Sequence, residues 1–177
     1  MTVDAVYEAF LRTAATDAAA CVAASDVLAL EPRPAAVPDT YDGRLVDVPH
    51  LQRAAAGIVH VSADPVLFTL RFPLDYCRST DLGLQFRVAS LRTPLFHPNV
   101  RGGMVCLGPY FRPGTRLRPL LEQIFGIVCG RVRATDHAFD AEAAVYYLAH
   151  PEQVRDLRSP SLWRRPVAAG RWVEVLT

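Results

Sequence analysis

Residues 95–128 read LFHPNVRGGMVCLGPYFRPGTRLRPLLEQIFGIV, and this stretch joins an irregular segment to a strongly periodic one. Its first half belongs to a region, Leu91 to Pro113, that has no sustained hydrophobic period and is rich in proline and glycine. A long ordered loop of this composition usually carries function. In the second half, apolar residues recur at i, i+3, i+4, i+7, i+8 and i+11, which predicts a helix with one face in the core. We expect Thr115 to cap this helix, with Pro119 in its first turn.

Upstream of the loop, short segments have patterns typical of β-strands. They are Arg44–Val48, Gly57–Ser62, Val66–Phe72 and Leu82–Val88. The last two alternate apolar and other residues, so that every second side chain is apolar. A period of two with short links is typical of antiparallel strands with one buried face. We therefore expect a four-stranded antiparallel meander.

Helices are predicted near both ends of the chain. Apolar residues from Val3 onwards recur at helical spacing, and we expect this helix to continue to about Leu30. The proline-rich segment 31–40 ends it. Asp140 is expected to cap a later helix with the sequence AEAAVYYLAH, and Trp172 to Leu176 to form a short strand in the tail.

The order helix, strands, long loop, helices predicts an α+β fold. With 177 residues, of which 51% are hydrophobic, the chain is expected to form one domain with a sizeable core. We divide residues 1–177 into an N-terminal helix with its proline-rich link (1–40), a core (41–160) and a tail (161–177).

Charge and cysteine usage restrict the class of partner and the compartment. The formal net charge is +1, so neither nucleic acid nor a membrane is expected as a partner. We expect a cytoplasmic protein, because the chain has no export signal and no apolar run long enough to span a membrane. Its four cysteines have no paired spacing, which favours reduced thiols.

All 19 basic residues are arginine, and lysine does not occur. A GC-rich genome that replaces lysine by arginine would explain this composition. Exclusion of a nucleophilic amine, in a protein that handles an amine-reactive group, would explain it as well. Composition alone does not separate the two explanations.

Several motifs resemble those of ubiquitin-conjugating enzymes. His97-Pro98-Asn99 followed by Gly103-Met104-Val105-Cys106-Leu107 is similar to that family's His-Pro-Asn and Gly-x-Ile/Val-Cys-Leu signature. The segment ending Phe72-Pro73-Leu74-Asp75-Tyr76, Phe111-x-Pro113, the helix after Thr115, and Phe139-x-x-Glu142-Ala143-Ala144 occur in the family's order. The resemblance covers about 57–156 and implies a ubiquitin-conjugating-enzyme-like fold with a long active-site loop.

The resemblance implies an acyl transferase with a cysteine nucleophile and no cofactor. Cys106 would accept the C-terminus of a ubiquitin-like modifier as a thioester from an activating enzyme, and then pass it to an amine of a target protein. Asn99 would stabilise the oxyanion that forms during transfer, or brace the loop that does so. We expect His97 to hydrogen-bond the backbone rather than act as a base, although it belongs with the catalytic group.

Other parts of the chain carry further expectations from the same resemblance. Asp136 or His137 would orient or deprotonate the attacking amine, or the two would form a solvated loop pair. The N-terminal helix is a candidate docking surface for the activating enzyme. Departures from the family pattern, such as the spacing between Asn99 and Cys106 and the longer stretch before His97, suggest a bacterial relative. Such relatives occur in conjugation operons, some of them antiviral.

Other functions are also compatible with parts of the sequence. A non-catalytic variant of the same fold, which binds a ubiquitin-like protein, is the main alternative, but such variants typically lose the cysteine. A cysteine hydrolase would need a helix to begin at the sulfur, and Leu-Gly-Pro follows Cys106. The histidines show no metal-ligand spacing with the cysteines. Because the chain lacks a GxxxxGK[ST] loop, an ATP-using partner is implied.

Overall fold

A computed structural model of the protein describes residues 4–108, 111–134, 137–155, 157 and 160–164. In this part of the chain the protein has an α+β fold with an N-terminal helix, an antiparallel sheet and C-terminal helices, as the sequence predicts at that level. The elements in chain order are α1 (Ala5–Ala23), β1 (Leu28–Pro32), β2 (Thr40–Leu45), β3 (His50–Arg53), β4 (Val59–Ser62), β5 (Val66–Arg71), a 3-10 helix (Leu82–Phe86), β6 (Ala89–Leu91), β7 (Val100–Arg101), β8 (Met104–Val105), α2 (Leu117–Val128), α3 (Ala141–Ala149) and α4 (Pro151–Arg155).

The main sheet differs from the predicted meander in which strands it contains. Six strands pair in the order β1-β2-β5-β6-β8-β7, and every pairing is antiparallel. β3 and β4 form a separate two-stranded hairpin, which is inserted between β2 and β5. The predicted strand Gly57–Ser62 therefore lies in this hairpin and not in the main sheet.

The prediction of a strand at Leu82–Val88 is wrong, because residues 82–86 form the 3-10 helix. The Asp81 side chain caps it by accepting a hydrogen bond from the Gly83 N–H at 2.7 Å. Leu84 is buried, whereas Leu82 is exposed. An alternating pattern of apolar residues is compatible with either conformation, and the cap decides between them.

The first helix ends earlier than predicted, and β1 occupies residues that were expected to be helical. α1 ends at Ala23. The Ser25 hydroxyl then accepts hydrogen bonds from the backbone N–H groups of Val27 and Leu28, both at 3.2 Å. This local turn offers the backbone an alternative to the helix and redirects the chain into the sheet.

The core lies between the sheet and the helices α1 and α2. The periodicity of α2 is confirmed, since its apolar positions are all buried. The alternation in β5 is confirmed too, because Val66, Phe68 and Leu70 are fully buried. The Phe68 ring lies directly over Gly43 of the neighbouring strand, where an added Cβ would come within 2.1 Å of its Cζ atom.

Of the two predicted helix caps, one is present and one is not. Thr115 does not cap α2, whose N-cap residue is Arg116; the Thr115 hydroxyl instead donates to the Arg112 carbonyl. Asp140 caps α3 as predicted, through the Ala143 N–H. In the tail, the Trp163 indole donates to Glu122 of α2.

The predicted strand Trp172–Leu176 and the tail from residue 165 onwards lie outside the described residues. Among the residues described, no helix is long and apolar enough to cross a membrane.

Candidate active site

Cys106 directly follows the β7–β8 hairpin and is half-buried. The hairpin turns through Gly102 and Gly103, whose φ angles are 57° and 81°. The Gly103 carbonyl accepts a hydrogen bond from the Leu91 N–H at 2.7 Å. A Cβ at Gly103 would lie 2.7 Å from the Leu91 carbonyl oxygen, so a side chain there is excluded by both space and conformation. The glycine pair therefore fixes where the chain leaves the sheet, and with it the position of Cys106.

Asn99 connects the cysteine to the loop that follows α2. Its side-chain N–H donates to the Cys106 carbonyl at 3.1 Å, and its Oδ1 accepts from the Ala134 N–H at 2.8 Å. The Cys106 N–H donates in turn to the Asn99 carbonyl at 2.8 Å. Asn99 itself is buried. In this arrangement both the NH₂ group and the oxygen of the amide bind backbone. Of the two roles that the resemblance implies, stabilising an oxyanion or bracing the loop, this geometry is that of a brace.

His97 lies in the interior beneath this loop and is fully buried. Its Nδ1 accepts a hydrogen bond from the Asn99 N–H at 3.0 Å, and its ring packs edge-on against Tyr147 of α3. Burial, with the positive charge of Arg133 as a smaller cause, lowers the pKa of His97 to about 3. The ring is therefore neutral at physiological pH, and it supports the loop from inside.

His137 lies on a segment that runs along the other side of the same loop. Two residues later, the N–H groups of Phe139 and Asp140 both donate to the Pro98 carbonyl, at 2.8 and 3.0 Å. His137 is exposed. Its expected partner Asp136 lies outside the described residues. The structure thus brings Cys106, Asn99 and His97 into one hydrogen-bonded loop and attaches the segment that carries His137 to it.

A glutamine that the sequence did not single out contacts the cysteine sulfur. Within the described part of the chain, the Cys106 thiol has one hydrogen-bond partner, the Oε1 atom of Gln85 at 3.7 Å. Gln85 is part of the 3-10 helix, in the segment predicted as a strand. An aspartate that can cap a helix followed by a glycine within the predicted strand (Asp81 and Gly83) was the available signal for the helix.

A cleft of about 390 Å³ lies next to the cysteine. One wall consists of the 3-10 helix and the residues before it, including Leu82 and Gln85. The other wall contains Gly108, Phe111 and Arg112, which follow the cysteine in the chain. The cleft has both apolar and charged lining residues, and Gln85 in its wall is the side chain that contacts the cysteine sulfur.

Groups of three or more His, Cys, Asp or Glu side chains that could hold a metal ion are absent from the described residues. All four cysteines are free thiols; Cys21 and Cys129 are buried in the core, and Cys77 is half-buried. Comparison with known proteins gives no match to a family model and no similar curated protein. What the site can do therefore has to follow from its own residues.

Proposed function

We propose that this protein is a conjugating enzyme for a ubiquitin-like modifier. The observation that carries this proposal is the position of Cys106 at the end of an irregular hairpin, half-buried, beside an open cleft and braced through its own backbone by Asn99. A sulfur that receives one protein and delivers it to another has to be reachable by both. The motifs that resemble ubiquitin-conjugating enzymes lie in this same loop.

The reaction has two acyl transfers. In the first, the Cys106 thiolate attacks the thioester between the modifier and its activating enzyme; a new C–S bond forms, and the activating enzyme's thiolate leaves. In the second, an amine of the target attacks the Cys106 thioester; a C–N bond forms, the C–S bond breaks and the Cys106 thiolate is released. The amine loses a proton in this step, and His137 or Asp136 is the proposed acceptor. The activating enzyme consumes the ATP.

The buried histidine supports this assignment of roles. With its pKa lowered to about 3 and its Nδ1 occupied by the Asn99 N–H, His97 is suited to holding the loop and not to moving protons. Asn99 likewise holds backbone, through the Cys106 carbonyl and the Ala134 N–H. Neither side chain contacts the sulfur through a hydrogen bond; the side chain that does so is Gln85.

The partners that we propose are the modifier, an activating enzyme and a target protein, in a bacterial conjugation pathway with a role in antiphage defence. We place the docking of the activating enzyme on the exposed face of α1, where Glu8 and Arg12 form an ion pair. Deleting this helix would remove Tyr7 and Leu11 from the core. A charge swap, Glu8→Arg with Arg12→Glu, keeps the net charge and the pair and should slow charging without unfolding the protein. An unchanged charging rate would exclude this face.

The proposal is tested by reconstitution with the ubiquitin-like protein and the adenylating enzyme encoded by neighbouring genes, together with ATP. The expected product is an adduct that reducing agents remove. Cys106→Ala should abolish it, Cys106→Lys should convert it to a stable amide, and Cys77→Ala, which removes another half-buried thiol, should leave it intact. An undiminished adduct in Cys106→Ala would contradict the assignment. Binding of the modifier without any adduct would favour a non-catalytic binding protein.

A further inference from the structure

Gln85 is held beside the Cys106 sulfur by contacts on both sides of it along the chain. Leu84 is buried against the sheet, and the Phe86 ring packs on Phe139 with 5.1 Å between centroids. Arg87, which follows the 3-10 helix, binds the carboxylates of Asp75 and Asp81. The short helix is thus fixed at both ends, and the glutamine between these anchors faces the cysteine at 3.7 Å.

Among the side-chain amides of the chain, Gln85 is the one in contact with the sulfur. The sequence contains one asparagine and four glutamines. Asn99 and Gln123 bind backbone groups around the cysteine, the latter through the Leu107 carbonyl at 2.8 Å. The other two, Gln52 and Gln153, bind side chains of β3 and α3. The two amides nearest in sequence to the sulfur therefore hold the loop, and the third faces the reacting atom.

A primary amide can serve both states of a cysteine that carries an acyl group. Its oxygen accepts a hydrogen bond from the resting thiol, as seen here. Rotation of the terminal amide by half a turn presents the NH₂ group instead, which can donate to an anionic oxygen. Because Gln85 is half-buried, a hydrogen bond formed there is weakened less by water than one on an open surface.

We infer that Gln85 is a catalytic residue for acyl transfer, and that its NH₂ group donates to the oxyanion that forms on the thioester carbonyl of Cys106. This inference rests on the proposed function. When the target amine attacks, the carbonyl π electrons move to oxygen; when the intermediate collapses, they return and the C–S bond breaks. Gln85 stabilises the charge between these two events and exchanges no proton. Asn99 holds the backbone that presents the sulfur.

The test is discharge of the charged enzyme to free lysine in a single turnover. Gln85→Ala and Gln85→Glu are charged to completion first, so that a slower charging step does not affect the measurement. Loss of one oxyanion donor slows such reactions by about 100-fold, and we expect that decrease for Gln85→Ala. Gln85→Glu, which has the same shape but a negative charge, should discharge more slowly still. Gln153→Ala removes an amide of the same type from α4 and should match the wild type.

A second measurement needs no modifier. Alkylation of Cys106 by iodoacetamide, followed by mass spectrometry of its peptide, reports directly on the sulfur. In Gln85→Glu the carboxylate opposes the thiolate, so the pH profile of alkylation should move to higher pH, while the thermal midpoint of unfolding stays that of the wild type.

The outcomes separate this inference from the function on which it rests. Failure of the wild type to form a thioester would overturn both. Normal charging with an unchanged discharge rate in Gln85→Ala would overturn the role of Gln85 alone. An unshifted alkylation profile in Gln85→Glu would also overturn it, because the glutamine would then not contact the sulfur in solution.

Discussion

Asn99 and Cys106 hold each other by reciprocal hydrogen bonds: the Asn99 amide donates to the Cys106 carbonyl at 3.1 Å, and the Cys106 N–H donates to the Asn99 carbonyl at 2.8 Å. The Asn99 Oδ1 extends this connection to the Ala134 N–H. One buried amide therefore sets the conformation of the cysteine's backbone and its distance from the loop after α2. We interpret Asn99 as the residue that gives the sulfur its orientation.

Two substitutions of Asn99 distinguish the contributions of its two side-chain hydrogen bonds. Asn99→Ala removes both and leaves the half-buried Ala134 N–H without its partner. A fully buried unsatisfied group costs about 1–3 kcal/mol, so the loss here should lie towards the lower end of that range. We expect a lower free energy of unfolding, measured by urea denaturation. Discharge to lysine should slow as well, because the sulfur loses its fixed orientation, whereas charging should continue.

Asn99→Asp provides the matched control. It keeps an acceptor for the Ala134 N–H but loses the donor to the Cys106 carbonyl. Its stability should therefore lie between those of the wild type and Asn99→Ala, while its discharge rate falls. Equal stability of all three proteins would show that the brace carries no folding energy.

The buried His97 makes the stability of the protein depend on pH in one direction. Its pKa is lowered from 6.5 to about 3, chiefly by burial, so below pH 6.5 the unfolded chain binds a proton that the folded protein excludes. Stability should therefore be fully present above this pH and fall as the pH decreases, by up to about 1.4 kcal/mol for each pH unit. Urea midpoints between pH 7 and 4.5 would measure this slope.

His97→Asn should give a flatter profile, because its Oδ1 can accept the Asn99 N–H without titrating. His50, which is also buried and whose pKa is also lowered, will leave a residual slope of the same sign. Asp42 does not interfere in this range, since the ion pair and hydrogen bond with Arg33 help to lower its pKa to about 2. Identical slopes in the two proteins would exclude His97 as the source.

The absence of lysine predicts what happens when one is introduced. Arg112→Lys keeps a positive charge in the wall of the cleft but adds a nucleophilic amine there. In the reconstituted system this variant should form a reductant-resistant adduct on itself. Arg33→Lys places the new amine directly after β1, at the edge of the sheet opposite to the hairpin of Cys106, and should form little adduct. Equal labelling of both variants would favour a purely compositional origin of the missing lysines.

Gly43→Ala should destabilise the sheet at one defined contact. Gly43 and Phe68 pair directly across β2 and β5, and the ring occupies the space that a methyl group would need. Overpacking of a core site typically costs about 1–3 kcal/mol. Phe68→Leu should lose stability on its own but lose less in the Gly43→Ala background, because the smaller side chain relieves the clash. Additive losses in this double-mutant cycle would contradict the contact.

The sequence predicts best those elements whose burial follows a single period. The helical repeat of α2 and the alternation in β5 identify their buried faces correctly, because each packs one face against a continuous core. At Leu82–Phe86 the same alternation gave the wrong conformation, since a cap at Asp81 and not the pattern determines the fold there. The end of α1 was missed for a related reason, as the hydroxyl of Ser25 captures the next backbone N–H groups.

The sequence identifies those residues of the candidate site that lie close together along the chain. Cys106, Asn99 and His97 are close in sequence, and the irregular loop between them marks the region. Gln85 was missed because its contact with the sulfur depends on a distant segment whose conformation was itself mispredicted. A contact between segments 21 residues apart follows from the path of the chain and leaves no local pattern.

The hairpin that carries Cys106 joins the main sheet through one residue pair, Ser90 with Met104, and the adjacent bond from Leu91 to Gly103. β2 and β5, by contrast, pair along six residues. Short ladders at a margin open by local fluctuations that need far less free energy than global unfolding. Amide hydrogens of β8 should therefore exchange with solvent well before those of β5. Under the proposed function, this weakly paired hairpin lets Cys106 shift to admit another polypeptide while the longer ladder of β2 and β5 keeps its pairing.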